Sequence, residues 1–299
     1  MTSSRSPWRR LQRNPAAVLS IVILILVAFS AIFGPTFLPR GSGDVTRESF
    51  LPPSEAHFFG TDLNGRDLLF RVLIGARISL LVGLAGAFIS FVVGVVYGMI
   101  AGYAGGRADS LMMRLVDILY AIPRLIFLLV LISALDPILR QLMVQHGLQS
   151  LVGYSKIVIL IFSLGLTEWL TMARIVRGQV LSLKSQQFVV AARSLGQTHR
   201  NIIFRHLLPN LVGVAIVYLT LTVPAVILDE SFLSFLGVGI QAPLASWGLL
   251  LSDAAQVINP IKGYWWLLIF PATAMSLTLL ALNFLGDGLR DAFDPRQRR

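Results

Sequence analysis

Six long apolar stretches, separated by polar connections, are the dominant pattern along the chain. A helix of about 20 apolar residues is long enough to cross the hydrocarbon core of a bilayer. The pattern therefore predicts six membrane-spanning helices, and an even number of spans places both termini on the same side. The predicted segments cover residues 16–38, 77–107, 111–135, 157–176, 211–232 and 262–287.

The composition supports a membrane protein and excludes several other classes. Of the 299 residues, 55% are hydrophobic and only 13% are charged, whereas a soluble domain has about 25% charged residues. These values exclude a soluble enzyme and a disordered chain. Cysteine is absent, which excludes a disulfide scaffold, a thiolate zinc site and a cysteine nucleophile. We therefore predict an all-α integral membrane fold with six transmembrane helices.

Basic residues are distributed unequally between the two sets of connections. The net charge of +10 would suggest nucleic acid binding in a soluble chain, but no nucleic-acid-binding motif accompanies it. Of the 25 Lys and Arg residues, 16 lie in the head, the 104–114 and 174–207 connections and the tail, whereas 8 lie in the opposite connections. Because Lys and Arg are enriched on the cytoplasmic side, both termini are predicted to be cytoplasmic.

Residues 1–15 are predicted to form a cytoplasmic head and residues 16–299 a single domain, since no internal repeat or linker interrupts the latter. The basic head and the apolar stretch after it are also compatible with a secretory signal peptide. The apolar stretch is long for a signal peptide, and Ala28-Phe29-Ser30 is a poor cleavage site, which favours an uncleaved first helix.

A stripe of small residues follows one face of the second segment. Its members recur every four residues and are Gly86, Ser90, Gly94, Gly98 and Gly102. Small residues let transmembrane helices approach closely. The stripe therefore predicts a tight contact with a neighbouring helix or a second subunit, and ordinary packing within the chain explains it equally well.

No combination of side chains typical of an active site is present. The four histidines are scattered over connections on opposite sides of the membrane, so they cannot form one metal site, and there is no P-loop sequence. Ionisable residues in apolar segments are costly in a bilayer and usually face a cavity or a partner. The candidates for a polar pathway or an intramembrane contact are Arg124, Glu168, Asp229 and Glu230. For Asp229 and Glu230, solvation at a helix end is an equally good explanation.

The connection between the fourth and fifth segments, residues 187–209, has the features of a short helix followed by a turn. Gly196 is a helix stop, since glycine accepts the left-handed conformation after a helix. Thr198 can cap a second short helix, and Pro209 either ends that helix or begins the fifth segment. The first helix is half apolar although it lies outside the membrane segments. It therefore either docks in a groove of a partner or lies on the lipid surface.

This connection resembles the Glu-Ala-Ala–Gly signature of permease subunits of binding-protein-dependent ABC importers. The resemblance is carried by Ala191-Ala192, Gly196 and Leu208-Pro209, and Val190 stands where the signature has its leading Glu. It extends over nearly the whole chain and is strongest with the C-subunit type of oligopeptide and dipeptide permeases. Further motifs that carry it are Phe59-Gly60-Thr61-Asp62, Gly75-Ala76-Arg77, Leu233-Ser234-Phe235-Leu236-Gly237 and Asn283-Phe284-Leu285-Gly286-Asp287-Gly288.

The resemblance implies the type I ABC importer permease fold, in which a coupling helix within residues 187–209 docks on an ATPase subunit. It implies a non-catalytic, multi-pass subunit of the bacterial cytoplasmic (inner) membrane that binds no cofactor, with ATP and Mg²⁺ held by partner subunits. The implied partners are a homologous permease forming a heterodimer, ATP-binding subunits, an extracytoplasmic substrate-binding protein and the lipid bilayer. The implied substrates are di- or oligopeptides, with nickel or another small solute as the alternative.

The sequence supports functions of two other classes less well than the importer. A stand-alone secondary transporter would use Glu168 or Asp229 as its proton carrier, although no inverted repeat or interrupted helix pair supports it. An intramembrane enzyme would need paired catalytic groups, and the sequence shows none. Co-purification with an ATPase subunit separates the importer from both.

The charge distribution makes the orientation testable, because the absence of native cysteine allows single cysteines to be introduced. With cytoplasmic termini the 39–77 connection is external. We expect Ser54→Cys to react with a membrane-impermeant maleimide added to intact cells. Labelling of this variant from the cytoplasmic side alone would show the topology to be inverted.

Overall fold

The computed structural model describes residues 10–39, 41–257 and 263–293, which form helices and connections with no β-strand among them. The helices are α1 (Pro15–Phe37), α2 (Leu68–Ala104), α3 (Gly106–Ala121), α4 (Arg124–Gln145), α5 (Ser155–Lys184), α6 (Gln187–Ser194), α7 (Leu208–Phe235), α8 (Trp247–Val257) and α9 (Trp265–Phe293). Three further pieces extend these helices. A 3₁₀ turn, Gln149–Tyr154, precedes α5, and the helical turn His199–Asn201 and the π-helical segment Ile202–Leu207 precede α7.

Six of the helical stretches are long and apolar enough to cross a membrane, which confirms the predicted fold class. They are Pro15–Phe37, Leu68–Ala104, Arg124–Gln145, Gln149–Lys184, His199–Phe235 and Trp266–Phe293. Their outward faces carry many exposed large apolar side chains, such as Leu19, Phe88 and Leu280. Such a surface suits lipid, where the helices satisfy all their backbone groups internally. The predictions for residues 1–9 and for the tail beyond residue 293 concern residues outside those described.

The third predicted segment, 111–135, is not one continuous helix, and this prediction is wrong. The chain leaves the helical conformation at Ile122 and Pro123, whose ψ angles are 127° and 116°. The physical reason is proline: it has no amide hydrogen to donate, and its ring disfavours the helical conformation of the residue before it. The segment is therefore divided into α3 and α4, and Arg124 begins α4 instead of lying in mid-helix.

Helices α2 and α5 are in direct backbone contact along the stripe of small residues. A Cβ atom added to Gly94 would lie 2.5 Å from the Cβ of Met172, and one added to Gly98 would lie 2.3 Å from the carbonyl oxygen of Ala173. At Gly102 the same atom would lie 2.9 Å from the Arg177 carbonyl oxygen. The structure thus places these three glycines in a contact within this chain.

The 41–67 connection has no helix but is ordered by ion pairs and aromatic stacking. The Asp62 carboxylate accepts from Arg66 at 2.8 Å and from Arg71 at 2.9 Å, and Arg71 also donates to Asp253 at 3.0 Å. Asp253 lies on α8, so a single guanidinium ties the connection to both α2 and α8. The Phe59 ring stacks on Phe270 of α9 with the ring centroids 3.9 Å apart.

His57 lies between two carboxylates in the same connection. Its Nδ1 is 2.9 Å from Asp67 and its Nε2 is 3.4 Å from Glu48. The hydrogen bond to Asp67 raises the pKa of His57 above its ordinary value, although partial burial opposes this. Asp67 also caps α2 by accepting from the Phe70 amide, so the histidine is linked to the start of that helix.

We expect Gly98→Ala to destabilise the protein, because the new methyl would meet the Ala173 backbone and force α2 and α5 apart. Overpacking of this kind costs about 1–3 kcal/mol. Gly178→Ala on α5 is the matched control, since its Cβ would meet no atom within 4 Å and replacing a helical glycine stabilises by about 0.5–1 kcal/mol. The measurement is thermal unfolding of the detergent-solubilised protein. Equal melting temperatures for Gly98→Ala and the unmodified chain would contradict close packing of these helices.

A second expectation concerns acid. Because the folded pKa of His57 is raised, the imidazolium stabilises the 41–67 connection most fully below the unfolded pKa of about 6.5, and this stabilisation is lost as pH rises through the folded value. Hydrogen–deuterium exchange in residues 41–67, compared at pH 5.5 and pH 8 after correction for the intrinsic rate, should therefore show greater protection in acid. The pH difference should disappear in His57→Gln, and its persistence there would assign the effect to another group.

Candidate functional site

Residues 187–209, here called the coupling segment, begin with α6 and a glycine-terminated turn. The Gly196 amide donates to the Arg193 carbonyl at 3.0 Å, and the Gln197 amide donates to the Ala192 carbonyl at 3.1 Å. Gly196 itself has φ +74°, a left-handed conformation that costs other residues energy. This pair of bonds is the Schellman arrangement that ends helices, and it places Gly196 at the stop that the sequence predicts.

The second half of the coupling segment is not a separate short helix. Thr198 accepts from the Asn201 amide at 3.4 Å and so caps the helical turn as predicted. That turn continues without interruption through the π-helical segment into α7, so the helical stretch runs from His199 to Phe235. Pro209 lies in the first turn of α7. Of the two roles the sequence allows for Pro209, the structure has the one that begins the fifth segment.

One face of α6 is buried against the chain itself. Val189 is completely buried and Ala192 is 4% exposed, and Val189 packs with Ile202 and Leu207 beside the C-terminal half of α5. The family resemblance implies that Ala191 and Ala192 both belong to the helix that docks on an ATPase subunit. For Ala192 the structure shows instead a contact within the chain, because the i, i+3 spacing from Val189 puts both on the inner face. Ala191 is exposed.

The opposite face of the coupling segment is apolar and open. Phe188, Val190 and Phe204 are exposed, and Leu195 is 81% exposed. Leu208 is half-buried and Pro209 is exposed. Isolated exposed apolar side chains are normal, but a group of them on a segment outside the membrane helices marks an interaction surface. Three arginines surround the group and are also exposed: Arg193, Arg200 and Arg205.

A polar contact links the coupling segment to the end of α2, and a second one holds the ends of α2 and α5 together. The Lys184 ammonium, at the end of α5, donates to the Gly102 carbonyl at 2.9 Å. The Tyr103 hydroxyl, at the end of α2, lies 2.6 Å from Nδ1 of His199. The coupling segment is therefore in contact with α2, which is itself bonded to the end of α5 at the same level.

Three of the four intramembrane candidates meet at one point. The Arg124 guanidinium donates to the carboxylates of Glu168 on α5 and Asp229 on α7. The Arg124 side chain is 42% exposed, whereas Glu168 and Asp229 are 10% and 19% exposed. The sequence identified the residue types but gave no sign that one cation would join two carboxylates from different helices.

Glu230, the fourth candidate, is not bonded to Arg124 and is 0% exposed. Its carboxylate accepts hydroxyl hydrogen bonds from Ser79 of α2 at 2.9 Å and from Ser234 at 2.7 Å. Ser234 in turn accepts from the Ile240 amide at 2.9 Å. Solvation at a helix end is therefore wrong for Glu230, whereas the alternative of an intramembrane contact agrees with these hydrogen bonds. The residue joins α2, α7 and the connection after α7.

A cavity of about 250 Å³ lies beside the helix break. Its walls come from the end of α3, the start of α4 and the middle of α5. Arg124 and Glu168 line it, together with Tyr120, Thr167 and apolar side chains such as Phe127. The cavity exists because the extended residues Ile122 and Pro123 move the chain away from α5 at this level.

Comparison with known proteins gives two family models that match the chain. Residues 94–299 match the binding-protein-dependent transport system inner membrane component family, and residues 4–53 match the N-terminal TM domain of oligopeptide transport permease C.

Curated relatives match along their length. The chain is 45% identical to the dipeptide transport system permease protein DppC of Bacillus subtilis (strain 168), over 100% of this chain and 88% of that protein. It is 48% identical to the oligopeptide transport system permease protein OppC of Haemophilus influenzae, over 98% and 90%. With OppC of Escherichia coli (strain K12) the identity is 46% over 98% and 93%. The chain therefore belongs to the family of binding-protein-dependent transport system inner membrane components.

Proposed function

We propose that this chain is one permease half of an ATP-driven importer that carries di- and oligopeptides across the bacterial cytoplasmic membrane. The observation that carries the proposal is the coupling segment, which is anchored on one face and apolar and exposed on the other. A short helix built this way needs a complementary groove, and the ATPase subunit of an importer supplies one.

The assignment of peptides as substrates is supported by the names of the relatives, which are dipeptide and oligopeptide permeases at 45–48% identity over nearly the whole chain. Nickel or another small solute would need side chains able to coordinate or select it. Within the described residues, no group of three His, Cys, Asp or Glu side chains is placed to hold a metal ion.

In the proposed complex, this chain pairs with a homologous permease, and both halves dock on ATP-binding subunits that hold ATP and Mg²⁺. A substrate-binding protein delivers the peptide on the opposite side of the membrane. Closure of the ATPase subunits moves the coupling segment, and the contact of His199 with Tyr103 passes that movement to α2. Helix α5 moves with α2, because Lys184 at its end is bonded to the Gly102 carbonyl. The membrane helices then alternate between two openings, and this chain performs no bond chemistry.

The proposal is tested by reconstituting the chain with its partner subunits in proteoliposomes. Uptake of a radiolabelled dipeptide should require ATP, Mg²⁺ and the binding protein together, and the ATPase subunits should co-purify with this chain. Uptake without ATPase subunits, driven by a proton gradient alone, would overturn it. Uptake of Ni²⁺ but not of peptide would retain the importer and change its substrate.

Gly196→Val should separate membrane insertion from coupling. The substitution touches no membrane helix and meets no atom within 4 Å, but valine cannot adopt φ +74° cheaply. We expect normal amounts of protein in the membrane and at least a tenfold loss of the ATP hydrolysis that loaded binding protein stimulates in the reconstituted complex.

Val190→Glu is the control for this experiment. Val190 is exposed on the same helix, and the change restores the leading residue of the family signature, so stimulation should be retained. Full stimulation in the Gly196→Val complex would show that the coupling segment does not transmit the signal.

A further inference from the structure

The contact of Arg124 with Glu168 and Asp229 has an unbalanced charge. One guanidinium faces two carboxylates, and neither carboxylate has a second cationic partner within the described residues. Glu168 and Asp229 both belong to membrane-spanning stretches. An uncompensated charge at such a position is costly, and membrane proteins place it against a partner or a water-filled cavity. The site therefore favours one further positive group.

Access to the site comes from the cavity beside the helix break. Glu168 lines the cavity, whereas Asp229 contacts Arg124 without lining it. Asp229 can thus balance the charge of Arg124 from outside the cavity, and the Glu168 carboxylate is left to bind a positive group within the cavity. The half-exposed Arg124 side chain also shows that this region does not face lipid hydrocarbon, because an arginine exposed there would be strongly disfavoured.

Additional hydrogen-bond acceptors lie at the same place. Tyr120 and Ala121 end α3 and line the cavity. Because Ile122 and Pro123 are extended, no helical i+4 amide reaches the carbonyl groups of Tyr120 and Ala121. A primary ammonium has three donors, and the acceptors here include Glu168 and these two carbonyls, beside the hydroxyls of the residues that line the cavity.

The size and walls of the cavity favour an organic cation over a bare inorganic ion. Its volume of about 250 Å³ is several times the roughly 30 Å³ that a water molecule occupies in the liquid. Apolar side chains, among them Phe127, Leu166 and Leu170, form much of the wall. Mostly apolar walls with a few convergent polar groups are typical of sites for organic ligands.

We propose that the cavity at the Ile122–Pro123 break binds the α-ammonium group of the transported peptide, with Glu168 as its counter-ion and Asp229 holding Arg124 aside. The inference rests on the proposed peptide transport and adds a substrate contact inside this chain. The two carboxylates have different roles, but the loss of either has the same effect. Arg124 is then balanced by the remaining carboxylate, and no net negative charge is left to bind an ammonium group.

The experiment uses the complete complex of this chain with its partner permease and ATPase subunits in nanodiscs, without the binding protein. The probes are radiolabelled trialanine amide, which has a free ammonium and no carboxylate, and its N-acetylated form. We expect the free amine to bind at least tenfold more tightly than the acetylated peptide. Glu168→Gln and Asp229→Asn should each abolish this preference. Both variants should fold, since Arg124 keeps one carboxylate partner in each.

Asp117→Asn is the matched control. Asp117 pairs with Arg174 at 2.7 Å on the same two helices, α3 and α5, and does not line the cavity. This variant removes one negative charge nearby and should retain the tenfold preference. Loss of the preference in this control would attribute it to the general charge of the helices and overturn the assignment.

Three other outcomes would also overturn the site. Equal binding of both probes by the unmodified complex would exclude ammonium recognition. Displacement of the free amine by 100 mM K⁺ or Na⁺, but not by choline, would identify an inorganic cation as the occupant. Loss of the partner permease from the Glu168→Gln and Asp229→Asn complexes would show that a cation of that partner balances the charge. ATP-dependent peptide uptake by the unmodified complex tests the proposed function separately, so either idea can fail alone.

Discussion

The backbone contact between α2 and α5 is the constraint on which the rest of the chain depends. Gly94, Gly98 and Gly102 leave no room for side chains between the two helices, so α2 and α5 are fixed relative to each other over several turns. This closeness is what lets Lys184 reach the Gly102 carbonyl and lets His199 reach Tyr103. Without it, the coupling segment would be joined to α5 and α7 but not to α2.

Helices α3 and α4 pack along α5 through buried apolar residues such as Val116 and Leu128, and polar pairs accompany these contacts. Asp109 bonds Arg177 at 2.6 Å, Tyr120 contacts Thr171, and Asp136 accepts from Ser155 at 2.8 Å. Residues later in α3 and α4 contact residues earlier in α5, so α3 and α4 together run antiparallel to α5 in a constant register. The break at Pro123 interrupts the helix without changing this register, which is why it opens a cavity and does not end the crossing.

Features that depend on local sequence could be predicted, and features that depend on tertiary partners could not. The six spans follow from apolar length, and the turn at Gly196 follows from the conformational freedom of glycine. The apolar residues around Pro123 predict one continuous helix, whereas in the structure the proline interrupts it. The burial of Ala192 and Glu230 could not be predicted, because it depends on tertiary partners, such as Ser79 of α2 for Glu230, which no spacing along the chain reveals. The joining of Arg124 to two carboxylates was missed for the same reason.

The rigidity of the α2–α5 pair makes it a lever. Helix α5 has 30 residues, which corresponds to a length of about 45 Å at 1.5 Å per residue. If the pair tilts by about 5° around its midpoint, each end moves by about 2 Å in opposite directions. Glu168 lies near that midpoint, where the same tilt changes direction more than position. A displacement of the coupling segment would therefore move the opposite ends of α2 and α5 in the other direction. Glu168 and its partners near the midpoint would hardly change position.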